Sequence, residues 1–313
     1  QAATFARLRK IREARKRDIV DYFSNVRRLA LGIAEDDRMV SFFEAARADQ
    51  RKPDRILEYE IDKHYVARYG DFYDILFVDA TGYVFHSIKK ESDYRRNILD
   101  GDLADTRIAE ALRRKDPKEQ FVEYEFYAPS GEPAAFFAVT LQRGGEHKGW
   151  FVLQCPINRV NMILTDRDGL GRTGEVYVVD EHRLMLTDSR FLEDSTILKL
   201  QIDTRAVRQA VAQREGEQII EDYRGIRVFS SFEKFSVSGV AWIIIVEIDE
   251  DEVITDYYRE NKRGLGKEVY RYLTARSRVR HPPDDAATEA KRVDVNEYAK
   301  ATPGSALKAS GVY

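Results

Sequence analysis

Cysteine is nearly absent from this 313-residue chain: Cys155 stands alone, which excludes an internal disulfide and any cysteine-rich metal site. It lies in the apolar run Phe151 to Ile157, the setting of a buried structural thiol rather than a nucleophile. Long hydrophobic runs are missing as well. None approaches the roughly 18 residues of a membrane-spanning helix, and the longest, Val240 to Val246, has the length of a strand. No secretory leader is present. The chain opens at Gln1 inside a helical pattern, so a piece cut from a longer protein is expected. Neither sign of charge dominates: 51 Lys and Arg against 54 Asp and Glu leave a net charge of −3. A polyanion binder is normally basic overall, so no nucleic-acid partner is expected.

Catalytic motifs are missing too. Gly264-Leu265-Gly266-Lys267 lies in a helical stretch and lacks the spacing of a phosphate-binding loop. There is no Gly-x-Ser-x-Gly elbow and no His-Glu-x-x-His, and the five histidines are scattered without metal-ligand spacing. Asp166-x-Asp168-Gly169 has the look of a calcium loop but lacks its later ligands and the glycine at the sixth position, so it reads as a turn. No enzyme activity, cofactor or metal is expected.

What the chain does have is a repeat. Tyr73-Asp74-Ile75-Leu76-Phe77-Val78-Asp79, a short polar turn, and Tyr83 to Ser87 return about a hundred residues later as Gly174-Glu175-Val176-Tyr177-Val178-Val179-Asp180, a turn, and Leu184 to Asp188. Each is an apolar run ending in Asp, a tight connection and a second run, the pattern of two paired strands. A helical stretch follows in both copies (Ile108 to Arg114; Val207 to Gln213). Then comes a strand opened by Glu-Gln (Glu119-Gln120; Glu217-Gln218), a hairpin partner, and a strand led by Trp (Trp150 to Leu153; Trp242 to Val246). Such duplication points to a sensor-like module rather than a single catalytic fold.

Ahead of the repeats, residues 4 to about 48 read as helix, with apolar residues at Phe5, Leu8, Ile11, Ile19, Tyr22, Phe23, Val26, Leu29 and Ile33. Nine basic residues against three acidic ones lie between Arg7 and Arg28. They fit a solvated helix face or a juxtamembrane stalk that pairs with a second subunit. Arg51-Lys52-Pro53-Asp54 breaks this helix, and a second is expected from about Arg55 to Tyr69. The expected organisation is therefore 1–70 stalk and second helix, 71–164 first repeat, 165–250 second repeat, 251–280 C-terminal helix and 281–313 linker and tail. Lys291 to Tyr298 could open a further module.

The phrase Gly169-Leu170-Gly171-Arg172-Thr173-Gly174-Glu175-Val176-Tyr177-Val178-Val179-Asp180, with Asp188-Ser189-Arg190-Phe191, Asp222 to Ser230 and Trp242 to Asp249, resembles the second half of a double Cache sensor region. Tyr73 to Ser87, Asn97 to Gly101 and Glu110-Ala111 resemble its first half. The resemblance covers about residues 5 to 260. It implies an α+β fold: a long N-terminal helix followed by two tandem PAS-like domains, each a five- to six-stranded antiparallel sheet flanked by helices. It also implies an extracytoplasmic (periplasmic) small-molecule sensor of a bacterial receptor anchored in the inner membrane, of the chemoreceptor, histidine kinase or cyclase type. The ligand would sit in the first, membrane-distal domain, and the signal would pass through the helices of a homodimer.

Two departures from that family stand out. Its amino-acid-sensing members carry Tyr-Asp-x-Arg-x-Arg-Pro-Trp-Tyr after the second strand, where this chain has Glu91-Ser92-Asp93-Tyr94-Arg95-Arg96-Asn97-Ile98-Leu99. They also place an Asp in the last strand, where this chain has Gln154. About sixty polar residues follow Asp249, where a receptor would be expected to enter the membrane.

Polar and aromatic residues of the first repeat that could line a pocket are Tyr73, His86, Tyr94, Arg95, Asp105, Tyr124, Tyr127, Phe137 and Gln154. Arg95 could clamp a carboxylate, with Asp105 or Gln154 receiving a donor group, so an organic acid, an amine or a similar small molecule is the expected ligand. Each also has an ordinary reading: tyrosines as core, Arg95-Arg96 as a solvated pair, His86 as a satisfied strand residue. In the second repeat Tyr177, Asp188, Ser189, Arg190 and Tyr223 are the equivalent positions, with fold maintenance the simpler role. The rival to a sensor is a protein-interaction or regulatory module attached to an enzyme beyond Tyr313.

Overall fold

The computed structural model describes residues 1–48, 63, 72–114, 118–260 and 291–292. The helical periodicity of the N-terminal segment builds α1 (Ala2–Glu35), which buries Leu8, Ile19, Phe23, Val26, Ala30 and Ile33. The single helix expected to about residue 48 is interrupted at Asp36. There the backbone N–H still bonds the Gly32 carbonyl, while the carboxylate accepts the Arg38 N–H at 2.8 Å and so starts a new helix, α2 (Asp37–Ala48). The second helix expected from Arg55 to Tyr69 lies outside the described residues. So do the stretch beyond Glu260 and the tail, apart from Lys291–Arg292.

Two compact units follow from the chain's contacts, one built on Val20–Arg159 and the other on Gln1–Ile19 with Val160–Val237 and the strand after it. The first holds an antiparallel five-stranded sheet in the order β2-β1-β5-β4-β3: β1 (Asp74–Asp79), β2 (Val84–Ser87), β3 (Glu119–Tyr127), β4 (Glu132–Arg143) and β5 (Glu146–Pro156). Between β2 and β3 runs α3 (Arg107–Arg113), opened by the Thr106 hydroxyl accepting the Ala109 N–H.

Alternation along the strands separates two faces. One carries Phe77, Phe85, Phe121, Phe137 and Phe151 against Phe23 of α1 and Phe42 and Phe43 of α2, with ring centroids about 5 Å apart. The other carries Leu76, Val78, Phe136, Trp150 and Val152 against Ile108 and Leu112 of α3. Each such buried side chain contributes roughly 1.5–3 kcal/mol.

The second unit repeats the plan after α4 (Ile157–Thr165). Its sheet has four strands in the order β6-β10-β9-β8; in chain order β6 (Glu175–Val179), a two-residue β7 (Leu200–Gln201), α5 (Arg205–Gln213), β8 (Glu215–Glu221), β9 (Arg227–Val237) and β10 (Val240–Asp249) precede α6 (Glu250–Glu260). The segment matching β2 keeps only isolated bridges: Met185 bridges Val179 of β6 and Leu186 N–H bonds the Val178 carbonyl, while Met185 also bonds across to Leu198 and Leu200.

Both copies turn in the same way at their Asp. Asp79 N–H bonds the Tyr83 carbonyl and Asp180 N–H the Leu184 carbonyl, each at 3.0 Å. Each carboxylate accepts the N–H four residues on. The residue three past each Asp has positive φ, Gly82 at 91° and Arg183 at 67°. The two tryptophans, by contrast, are not equivalent. Val78 pairs with Trp150, but Val179 pairs with Ile243, one residue after Trp242. A slip of one residue changes the face, so Trp150 joins the α3 side of its sheet while Trp242 packs on Phe235.

Candidate ligand-binding site

On the α3 side of the five-stranded sheet, Asp74 of β1, Gln154 of β5 and Phe136 of β4 form one cross-strand row. Directly paired residues share a face, and all three are buried. Asp74 is fully engaged. One oxygen accepts the backbone N–H groups of Ile75, Ile88 and Lys89 at 2.7, 3.0 and 3.1 Å; the other accepts the Ser87 hydroxyl at 2.6 Å. Asp74 thereby pins the chain leaving β2. The following loop is tied back to β2, with Arg95 N–H on the Val84 carbonyl and Val84 N–H on the Arg96 carbonyl.

That loop delivers two acidic side chains. Asp93 accepts the Tyr127 hydroxyl at 2.9 Å, and the Tyr127 ring packs on Phe136 with centroids 4.9 Å apart. Glu91 accepts the Tyr73 hydroxyl at 2.5 Å. Asp93 therefore reaches the row from two sides: through Tyr127 and Phe136, and through its charge acting on Asp74.

Among the described residues, Oε1 and Nε2 of Gln154 and the second oxygen of Glu91 are buried without a partner, and the second oxygen of Asp93 has at most the weak help of nearby backbone N–H groups. Gln154 is 0 % exposed. Leaving one such group unmet costs about 1–3 kcal/mol, so each calls for a physical reason.

The electrostatics are one-sided. Burial, with the Asp93 charge adding to it, pushes the Asp74 carboxyl up to about 6 against the help of Ser87 and the backbone N–H groups. Burial raises Asp93 too, the Tyr127 hydrogen bond opposing and Glu91 reinforcing. The hydrogen bond to Glu91, then burial, pushes the Tyr73 hydroxyl up to about 12. Burial and Glu91 raise Glu132. Among the described residues, none of Asp74, Glu91, Asp93 and Glu132 is ion-paired.

The residues singled out in the sequence scatter around this site. Gln154 lies in the row, Tyr127 reaches it through Phe136, and Tyr73 bonds Glu91 on the following loop. His86 lies between Phe42 and Phe77 on the α1 and α2 side, Phe137 lies against Phe23, and Tyr124 faces Phe23 with its hydroxyl on the Pro156 carbonyl. Tyr94 is half-buried beneath the Arg95 guanidinium, and Arg95 and Asp105 are exposed. Asp74, Glu91 and Asp93 were not singled out. The repeat carried a signal for the first, since Asp74 aligns with Glu175.

At the matching place in the four-stranded unit, Glu247 pairs with Glu175. Glu247 accepts the Ser230 hydroxyl at 2.7 Å and the Tyr177 hydroxyl at 3.2 Å. Glu175 accepts the Tyr223 hydroxyl at 2.7 Å and the Arg190 N–H at 2.8 Å, and Ser189 bonds Tyr223 at 2.6 Å. Asp188 is held by Asn161. Arg224 supplies a cation: it bonds Asp222 and Asp249, each at 2.7 Å, with its guanidinium carbon 3.8 Å from the Phe191 ring centre. Burial alone would lower the Arg224 pKa, but Asp222 and Asp249 override it and raise it. Burial, with Asp222 adding, pushes Glu247 up to about 8, while Ser230 and Arg224 restrain it.

The buried Cys155 thiol is pushed far above its ordinary pKa by burial alone, which leaves it unreactive. No three His, Cys, Asp or Glu side chains among the described residues could hold a metal ion.

No protein-family model and no curated protein matches the chain. Solved structures do. The ligand-binding domain of the Pseudomonas aeruginosa PAO1 amino acid chemoreceptor PctB, in complex with L-Arg, has a TM-score of 0.55 at 14% identity, over 81% of this chain and 98% of that one. The sensor domain of the V. cholerae histidine kinase DctB has a TM-score of 0.52 at 13% identity, over 80% and 98%. An extracellular ligand binding receptor from Desulfohalobium retbaense DSM5692 has a TM-score of 0.54 at 15% identity; 76% of this chain spans 39% of that one. The fold is that of the double Cache ligand-binding domains of chemoreceptors and histidine kinases. Among the described residues no helix is long and apolar enough to cross a membrane.

Proposed function

We propose that this chain is the extracytoplasmic small-molecule sensing region of a membrane-anchored bacterial signalling receptor, working as a dimer, with its ligand in the five-stranded unit. The observation that carries this reading is Gln154, an amide with no exposure and, among the described residues, no partner for either polar atom, in the same row as Asp74. Solved domains of similar fold lend support, PctB holding L-Arg and PctC holding GABA.

In this reading a ligand bonds Gln154 on β5 and Asp93 on the loop after β2, and so draws the loop onto the sheet. The opposite face of the same strands carries Phe77 and Phe151 against Phe42 and Phe43 of α2. A change in strand position is thereby transmitted to the helices, as a population shift between two packings.

A thermal-shift screen over organic acids, amines and sugars, followed by calorimetry, tests the reading. A ligand at a hundred times its Kd should stabilise by about 2.7 kcal/mol, and Gln154→Leu should abolish that gain. Silence toward every compound, or binding that Gln154→Leu leaves intact, would remove the site.

A further inference from the structure

We infer that the loop of residues 166–174, between α4 and β6, is a tie within the four-stranded unit: it grips α1 at one end and α6 at the other, so that a shift of either helix is passed to its counterpart. The inference goes beyond the sensing reading and does not depend on what the five-stranded unit binds.

The grip on α1 uses two residues one turn apart, which share a helix face. Arg15 donates to the Asp166 carboxylate at 2.6 Å and to the Asp166 carbonyl at 3.4 Å. The same carboxylate accepts the Asp168 N–H at 3.1 Å, which fixes the start of the loop. Ile11 then lies against Gly169, where a Cβ would stand 3.4 Å from the Ile11 Cδ1.

The grip on α6 is made by Glu252 of its first turn, which is 4 % exposed. One of its oxygens accepts the Arg172 N–H at 2.8 Å; the other accepts the Thr173 N–H at 2.7 Å and the Thr173 hydroxyl at 2.5 Å. The Thr173 hydroxyl oxygen in turn accepts the Asp249 N–H, just ahead of α6, at 3.2 Å. Successive N–H groups closing on a carboxylate make charge-assisted bonds. Burial alone would raise the Glu252 pKa, but these donors override it and lower it. Gly171 permits the approach: its φ is 67°, and a Cβ there would fall 2.5 Å from a Glu252 oxygen.

Between the two grips the loop is braced rather than slack. Leu170 is buried, its N–H bonds the Arg167 carbonyl, and its own carbonyl accepts the Gly174 N–H, each at 3.0 Å. A second route joins the same helices along β9, from Lys16 on Glu233 to Arg227 on Glu250. Its α6 end is an ion pair whose arginine is 53 % exposed, and exposed pairs hold little. The buried grip of Glu252 is therefore the stronger link.

Hydrogen exchange on the whole chain tests this, with rates taken relative to the amides of β9. Glu252→Gln should speed exchange of α1 residues 8–19 at least tenfold, besides freeing Arg172 and Thr173. Coupling is reciprocal, so Arg15→Gln should speed exchange of α6 residues 252–258 by a similar factor. Glu250→Gln, which breaks only the β9 route, should leave α1 at the parent rate. Thr173→Val removes one bond to Glu252 and the bond from Asp249, and should give the Glu252→Gln pattern at least threefold if Glu252→Gln fails to fold. Faster exchange confined to the loop and α6 in Glu252→Gln overturns the tie. So does an equal effect of Glu250→Gln on α1, which would move the coupling to β9, and so does an α6 that ignores Arg15→Gln.

Discussion

Gln154 and Asp74 face each other across β5 and β1 at the register that sets Glu247 opposite Glu175 across β10 and β6. The same skeleton therefore ends in two different states. The Glu247 and Glu175 pair has every carboxylate oxygen hydrogen-bonded by the chain itself. In the Gln154 and Asp74 pair the carboxylate is spent on holding a loop, and the amide is left with nothing. A duplicated fold has closed the Glu247 and Glu175 pair on itself, and the Gln154 and Asp74 pair retains unmet bonding capacity among the described residues.

Gln154→Leu should separate stability from binding. A leucine of similar volume removes two unmet polar atoms, each costing about 1–3 kcal/mol when buried without a partner. The ligand-free variant should therefore be as stable as the parent or more stable by roughly 1–2 kcal/mol in urea unfolding, while losing its ligand. A clear loss of stability would mean that the amide is part of the scaffold.

How far the sequence announced this arrangement depends on the kind of signal. Most strands, the Asp-ended turns and the helix of each repeat followed from apolar runs and turn residues, which are local; the second strand expected after Asp180 is reduced to isolated bridges. Asp36, which divides the expected single helix, acts through its own side chain on Arg38, and one aspartate among 54 acidic residues carries no mark of that. The same density hid Glu91 and Asp93. The matching tryptophans misled for a different reason: pairing is set by hydrogen bonds along β6 and β10, and these place Ile243 rather than Trp242 opposite Val179. Gln154 was visible because it stands where a neighbour in an apolar strand should be apolar. The residues that surround it come from a loop, β1 and the end of β3, which no periodicity brings together.

Arg12 should prove a structural anchor of the four-stranded unit. It is 2 % exposed, donates to the Phe232 carbonyl at 2.9 Å and to Glu215 at 2.9 Å, and lies 3.4 Å from Glu233. Removing one partner of a buried ion pair costs about 3–5 kcal/mol; since Lys16 still bonds Glu233 at 2.8 Å, Arg12→Met should cost about 3 kcal/mol in urea unfolding. Arg12→Lys should recover only part, because an ammonium cannot span both the carbonyl and the carboxylates. A neutral Arg12→Met would refute the anchor.

Glu247 gives the four-stranded unit a pH dependence of definite sign. Its pKa, about 8, is raised above the ordinary carboxyl value of 4.5, chiefly by burial. Between those values the folded chain holds a proton that the unfolded chain releases, so stability falls as pH rises from about 4.5 to 8. Glu175, Asp222 and Arg224 share the surroundings and modulate the midpoint. The contribution is present in full below the lower value and lost as pH passes the upper one. Glu247→Gln stays neutral throughout, so its stability should decline less steeply, by up to about 1.4 kcal/mol per pH unit. Parallel unfolding profiles for parent and variant over this range would show that Glu247 is ionised in the fold.

Arg224→Ala should convert the closed copy into an open one. Loss of the guanidinium leaves Asp222 and Asp249 without their bonds at 2.7 Å and exposes a space against Phe191, whose ring centre lies 3.8 Å from the guanidinium carbon. Breaking the pairing of buried carboxylates should cost about 3–5 kcal/mol. Glu247 should also lose the charge that restrains its pKa, so it titrates still higher. The vacated space then lies between the carboxylates that held the guanidinium and the Phe191 ring. Millimolar ethylguanidinium should therefore raise the Tm of Arg224→Ala more than that of the parent, with the excess suppressed when Asp249→Asn is added. Equal shifts in variant and parent would show that Arg224 packs the fold without marking a cation position.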